Sequence, residues 1–213
     1  KDNKGENISN KNKHYGEYTF HYWLWKNYLD KSEEGWFGFC QYRKFWSIEE
    51  KILKPDSLDQ LKLLVLKEIP KSYEDFDVIL GHEYFINNLK VMKFLKKGLK
   101  IIIKNPSCLF SKNKKNIKFH FDMWHGENFL DKAIQLLNNN DRNDFNIFIS
   151  TKISFNPHNM FMCKSKKIMK NYYETVFPWL ERCEKEFGFK SLSGYGQTRI
   201  YGFLAERFMS YWF

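Results

Sequence analysis

The chain has 213 residues, enough for one packed domain, and its 43% hydrophobic and 19% aromatic content excludes general disorder. Lysine and arginine outnumber aspartate and glutamate, 35 against 25, which points to an anionic partner without choosing among nucleic acid, an anionic membrane and phosphorylated small molecules. No apolar run approaches the roughly 20 residues of a spanning helix, and the four cysteines (Cys40, Cys108, Cys163, Cys183) form no Cys-x-x-Cys pair, which excludes a zinc ribbon and a redox motif.

In chain order, residues 1–13 are polar and predict a loop without the apolar stretch of a signal peptide. Aromatics at 15, 18, 22 and 25 mark one face of a helix over 15–28. Residues 35–43 suggest a buried strand with a polar end. A helix is expected over 57–66, a short strand over 77–80, a helix over 89–97 and a strand over 101–103. Residues 112–118 form a basic loop. A helix over 127–138 is expected to end in the Asn138–Asn140 run, followed by strands over 145–150 and 159–163. Residues 165–187 predict a long helix interrupted near Pro178. A loop over 188–196 leads to a closing aromatic helix over 199–213. Strands mixed with helices imply an α/β layered domain, in which ligands gather at the carboxyl ends of strands.

Five short constellations carry chemistry. Gly5, Glu6, Asn7 and Ser9 combine a flexible turn with an acid, an amide and a hydroxyl that can bond a sugar or ribose, or cap a helix. Gln41, Tyr42, Arg43 and Lys44 follow the first strand, where two cations can neutralise a diphosphate or simply face solvent. His120, Asp122, His125 and Glu127 lie within nine residues; any of them could serve as a base, while the His-x-Asp-x-x-His spacing is a weak metal pattern. Asn156–Phe161 holds Asn159 at a strand start. Arg199 and Glu206, seven apart, share one helix face, and Gly202 between them allows a close backbone approach. No P-loop, dinucleotide fingerprint or nucleophile elbow is present.

Taken in order, these pieces resemble the domain of unknown function 4422 family, found in bacterial capsule and O-antigen glycosyltransferases. The resemblance rests on Gly5–Ser9, Tyr15–Thr19, Tyr22–Asn27, Gly38–Phe45, Asn159–Lys164, Phe177–Pro178 and Gly202–Arg207, and is thinnest over residues 50–115. It departs from the family at Glu6, which replaces Asp, at Gln41, which replaces His and cannot titrate, and at Lys44, which replaces Arg. The family places a strand ahead of Gly5, so the natural chain is expected to start before Lys1.

What the resemblance implies is a single glycosyltransferase domain over 1–213 with a GT-A-like nucleotide-sugar-binding α/β sandwich. It would move a hexosyl, heptosyl or galactofuranosyl unit from a UDP- or GDP-linked sugar to a capsular or lipopolysaccharide glycan, or to a lipid-linked acceptor. The donor-binding residues expected are Gly5, Glu6, Asn7, Ser9, Gln41, Tyr42, Arg43, Lys44, Asn159, Arg199 and Glu206; the base is expected among Glu127, Asp122 and His125. No Asp-x-Asp stands at the strand end, so no cofactor is expected, a divalent metal is not favoured, and Arg43 with Lys44 takes the metal's place. A cytoplasmic protein with peripheral contact to the inner membrane face, and without a nucleic-acid partner, is the expectation. Its rivals are a non-catalytic glycan-binding domain of a larger synthase and an RNA-binding protein, the latter marked by steeply salt-dependent polynucleotide binding.

Overall fold

The computed structural model describes residues 2–47, 54–86, 103 and 114–213. The helix expected over 89–97, and residues 101 and 102 of the following strand, lie outside that set; Ile103 has helical backbone. The architecture is mixed α/β, with small sheets and a predominance of helix.

The chain opens with a single 3-10 turn (Ser9–Lys11), α1 (Asn12–Tyr15) and α2 (Tyr18–Asn27), so part of the expected amino-terminal loop is helical. Gly16, at φ 59°, breaks the single expected helix into α1 and α2. Next come β1 (Phe37–Gly38), α3 (Leu58–Leu64), β2 (Val78–Leu80) and β3 (Tyr84–Phe85). Then follow α4 (Ile117–His125), α5 (Phe129–Gln135), α6 (Asn139–Thr151), β4 (Ser154–Phe155) and β5 (Phe161–Cys163). The chain closes with α7 (Lys166–Phe187), α8 (Gly194–Thr198) and α9 (Ile200–Trp212).

β5 is the central strand of its sheet, antiparallel to β1 on one side and β2 on the other. Phe161, Met162 and Cys163 are all buried, as a strand covered on both faces requires. β1 and β2 therefore run the same way, and their carboxyl ends lie beside the start of β5. The strand expected over 35–43 is shorter than predicted: Phe39 still donates its N–H to the Phe161 carbonyl at 3.0 Å, but Gln41 and Lys44 then exchange backbone bonds in a tight turn.

Side-chain caps start three helices. Asn116 Oδ1 accepts from the Phe119 N–H at 2.9 Å for α4, Ser165 Oγ from the Ile168 N–H at 3.2 Å for α7, and Ser57 Oγ from the Gln60 N–H at 3.2 Å for α3. The basic loop predicted over 112–118 is accordingly helical from Ile117. Residues 145–150 are helical, against the strand expectation. Phe145 and Ile149, one turn apart, face the core while Ile147 is 51% exposed, so the apolar run follows the helical period after all. The Asn138–Asn140 run starts α6 instead of ending α5.

α7 is continuous through Pro178. Proline removes the donor that the Glu174 carbonyl would receive, but Glu174 is exposed, so water can take that place. The opposite face, including Tyr172, Val176, Trp179 and Cys183, is buried against α9 and α5, with the Trp179 indole donating to the Ala133 carbonyl at 2.7 Å. Among the described residues no helix is long and apolar enough to cross a membrane, and of the thiols Cys163 and Cys183 are buried and Cys40 is exposed.

Gly202 lets α9 approach α1: a Cβ there would stand 2.9 Å from the Tyr15 carbonyl oxygen. Helix propensity favours alanine by about 1 kcal/mol, whereas forcing a backbone contact apart costs about 1–3 kcal/mol. Gly202→Ala is therefore expected to lower stability in urea unfolding, and a gain would contradict the close α1–α9 approach.

Candidate functional site

The residues singled out from the sequence fall into three groups in space. The largest gathers at the carboxyl ends of β1 and β2, around a side chain that sequence reasoning passed over. Glu17, at the start of α2, receives hydrogen bonds from three distant segments. Its Oε1 accepts from Gln41 Nε2 and from Asn159 Nδ2, both at 2.8 Å, and its Oε2 accepts from Arg199 Nη2 at 3.4 Å. The two amides and the guanidinium fix the carboxylate's orientation. Glu17 nevertheless keeps 29% of its side chain exposed.

The donors are themselves held. His158 and Asn159 both occupy the left-handed region (φ 77° and 53°), a conformation uncommon for residues other than glycine. The His158 carbonyl accepts from Gln41 Nε2 at 2.6 Å, and Asn159 Nδ2 also reaches the Gly202 carbonyl at 3.2 Å. Glu206 clamps the turn from beneath by accepting the His158 N–H, and its other oxygen pairs with Arg207. Arg207 is buried, with its guanidinium 3.6 Å from the Phe155 ring centre and Nη2 3.2 Å from His120 Nδ1. Burial, and then the neighbouring Arg207 charge, push the His120 imidazole well below its ordinary pKa. The neutral ring thus accepts at Nδ1 and carries its proton on Nε2.

The cationic turn borders this group. Tyr42, Arg43 and Lys44 are exposed, and the Arg43 guanidinium stacks 4.6 Å over the Tyr42 ring. Burial lowers the His158 pKa; Glu206 and Glu17 oppose the shift and Lys44 adds to it, so all three charges lie close enough to be felt at that imidazole. Gln41, Lys44, Asn159, Arg199 and Glu206 are thus brought together, with Tyr42 and Arg43 at the margin.

The second group is Gly5, Glu6, Asn7 and Ser9, which dock on the far end of α2. Asn27 accepts from the Glu6 N–H at 3.2 Å and donates to the Glu6 carbonyl at 2.7 Å. Gly5, at φ 67°, comes so near that a Cβ would fall 2.1 Å from Asn27 Oδ1. Asn7 Oδ1 accepts from the Ser9 N–H and hydroxyl at 3.2 and 2.8 Å, and the Glu6 carboxylate accepts from the Tyr22 hydroxyl at 2.8 Å. Ten residues of helix separate Asn27 from Glu17, a rise of about 15 Å.

The third group lies on α4 and just beyond it. Asp122 faces Lys118 at 3.5 Å; burial, opposed by Lys118, raises its pKa to about 6. His125 is buried, stacked 4.1 Å from Phe203 and bonded through Nδ1 to the Gly196 carbonyl at 3.2 Å; burial lowers its pKa to about 3. Glu127, half-buried, follows α4. The contacts of Asp122 and His125 are with Lys118, Phe203 and Gly196, away from Glu17. Among the described residues no three His, Cys, Asp or Glu side chains are arranged to hold a metal ion.

Glu17 carried two local signals, an acid at a helix start and a place within the Tyr15–Thr19 motif, and neither names its partners. Its partners stand 24, 142 and 182 positions away. Arg207 and His120 likewise meet across 87 positions.

The family described as "Domain of unknown function (DUF4422)" matches residues 1–213. Comparison with curated proteins gives no match. A solved structure, the WbbM bifunctional glycosyltransferase in its apo form, aligns with a TM-score of 0.68 at 21% identity, over 99% of this chain and 35% of that one. The chain thus spans about a third of that protein's length and shares the fold of that part.

Two outcomes follow. Arg207→Met leaves Glu206 buried without its cation and should cost about 3–5 kcal/mol in urea unfolding, while Arg207→Met with Glu206→Gln should recover most of the loss. A single-variant loss below about 1 kcal/mol would contradict a buried pair. The Asp122 carboxyl, raised in the folded state, favours folding fully below its unfolded value of 3.8 and loses that contribution as pH rises through about 6. Asp122→Asn should therefore gain on the parent chain between pH 4 and 7; an unchanged difference across that window would contradict the burial of Asp122.

Proposed function

The chain belongs to the DUF4422 family, and we propose that it is a glycosyltransferase domain that moves a sugar from a nucleoside-diphosphate sugar to a glycan acceptor. The single observation that carries this reading is the oriented, partly exposed Glu17 carboxylate at the strand ends, beside Arg199 and the cationic Arg43–Lys44 turn. The shared fold with part of a bifunctional glycosyltransferase supports it.

In this reading Glu17 takes the proton of the acceptor hydroxyl as its oxygen bonds to the anomeric carbon. The bond from that carbon to the diphosphate oxygen breaks, and Arg43 and Lys44 neutralise the charge on the departing diphosphate. Arg43, a planar guanidinium exposed on a tight turn, suits a fork onto phosphate oxygens. Glu206, with only 10% of its side chain exposed and an ion pair to Arg207, is a positioning group in place of a base. Of the bases expected from sequence, Asp122 has the raised pKa that suits proton transfer near neutrality, which makes it the alternative to Glu17. The donor is a UDP- or GDP-linked sugar, and the acceptor a capsular or lipopolysaccharide glycan.

The test is turnover of a panel of nucleotide sugars with glycan acceptors. Glu17→Gln should lower kcat by about 10²–10⁴-fold with little change in donor KM; Arg43→Ala should weaken donor use; excess chelator should leave turnover intact. Near-normal kcat in Glu17→Gln together with loss in Asp122→Asn would move the base to Asp122, and activity abolished by chelator and restored by manganese would overturn the role given to Arg43 and Lys44. Glycan binding with no transfer from any donor would favour a non-catalytic glycan-binding domain.

A further inference from the structure

The two polar groups that the fold holds apart, the Glu17 cluster and the Gly5–Ser9 loop, sit at opposite ends of α2, and the surface between them has a definite chemistry. At 100° per residue, Phe20, Trp23 and Asn27 fall within about 60° of one another around the helix, and Phe20 stands one turn beyond Glu17. Phe20 is 44% exposed although aromatic, and Trp23 is half-buried. Their rings are nearly parallel, 20° apart with centroids at 6.0 Å. The indole is not free to turn, because Trp23 Nε1 donates to the Lys4 carbonyl at 2.8 Å. Asn27 is fixed in the same way by both backbone groups of Glu6. The result is a preset strip: polar carboxylate, two nearly parallel aromatic rings, then a loop that carries the Glu6 carboxylate, the Asn7 amide and the Ser9 hydroxyl.

We infer that this strip is the track on which a neutral oligosaccharide lies, its reacting end at Glu17 and its far end at the Gly5–Ser9 loop. Pyranose and furanose rings present an apolar C–H face and a polar rim. Parallel aromatic planes take the face, and flanking amides and carboxylates take the rim. The carboxylates at the two ends are each paired with a cation, Glu6 with Lys26 at 3.6 Å and Glu17 with Arg199 at 3.4 Å, so the strip carries little net charge and suits an uncharged ligand better than a polyanion. Phosphate is better served by Arg43 and Lys44, on the turn beyond Gln41. The rise of about 15 Å along α2 calls for a ligand of several sugar units, not a monosaccharide. The inference deepens the transferase reading and rests on it for the assignment of Glu17 as the reacting end; the track itself rests on the aromatic strip.

The experiment is an amide-shift map of the full chain titrated separately with two neutral tetrasaccharides, cellotetraose and maltotetraose. Shifts should concentrate in residues 2–9 and 17–27, glucose alone should bind far more weakly, and Phe20→Ala, with unchanged circular dichroism, should weaken tetrasaccharide binding about 10-fold or more. No shifts with either tetrasaccharide at millimolar concentration, shifts confined to other elements, or undiminished binding by Phe20→Ala would each overturn the track. Transfer from a nucleotide sugar to a small acceptor without tetrasaccharide binding at the strip would sink the track and leave the transferase reading standing. Binding at the strip without transfer from any donor would uphold the track and sink that reading.

Discussion

Arg207 carries its charge where water cannot reach it, and the arrangement that neutralises it sets the geometry of everything around the candidate site. A buried guanidinium is tolerable only if paired and hydrogen-bonded. Glu206 supplies the charge, His120 accepts a further N–H, and the Phe155 ring lies against the cation. Glu206 has a second oxygen to satisfy, and it takes the His158 N–H. That bond holds two successive residues in the left-handed region, which their own side chains disfavour. From that turn, the His158 carbonyl and the Asn159 amide position the donors that reach Glu17. The site is therefore built outward from a buried ion pair.

The scaffold for this is small in strand and rich in aromatic packing. β5 alone connects β1 to β2, yet it places both carboxyl ends against the start of β5, where His158 and Asn159 lie. Helices supply the rigidity. α7 and α9 bury aromatic faces against each other, as in the contacts of Trp179 and Tyr172 with Phe208. Ring pairs of this kind add about 0.5–1.5 kcal/mol each beyond the area they bury. Gly202, where α9 meets the α1 backbone, brings Arg199 and Glu206 to the site from a single helix.

The sequence carried the long aromatic helices well, because α2, α7 and α9 repeat their apolar residues at helical spacing. It misled at residues 145–150, where a short apolar run has no length or turn signal to separate strand from helix. It misled again at the Asn138–Asn140 run, since asparagine starts helices as readily as it ends them. Gln41, Asn159 and Arg199 were legible singly as polar residues at element ends, and Glu206 as an acid on the face of the closing helix. Their convergence on Glu17 was not, because hydrogen bonds that span most of the chain leave no periodic trace. Nor does the separation of Gly5–Ser9 from that cluster follow from sequence: it is Asn27, at the opposite end of α2 from Glu17, that fixes the loop.

In the proposed function, the positioned carboxylate takes a proton, the neighbouring cationic turn a diphosphate and the aromatic strip a glycan. Transfer in this form requires that the cationic turn meet a nucleoside diphosphate. A thermal-shift titration of the chain with UDP, GDP and CMP, with and without manganese and chelator, tests it most directly. The melting temperature should rise with one nucleoside diphosphate, unaffected by chelator and diminished in Arg43→Ala. No shift with any of the nucleotides, or an equal shift in Arg43→Ala, would contradict it.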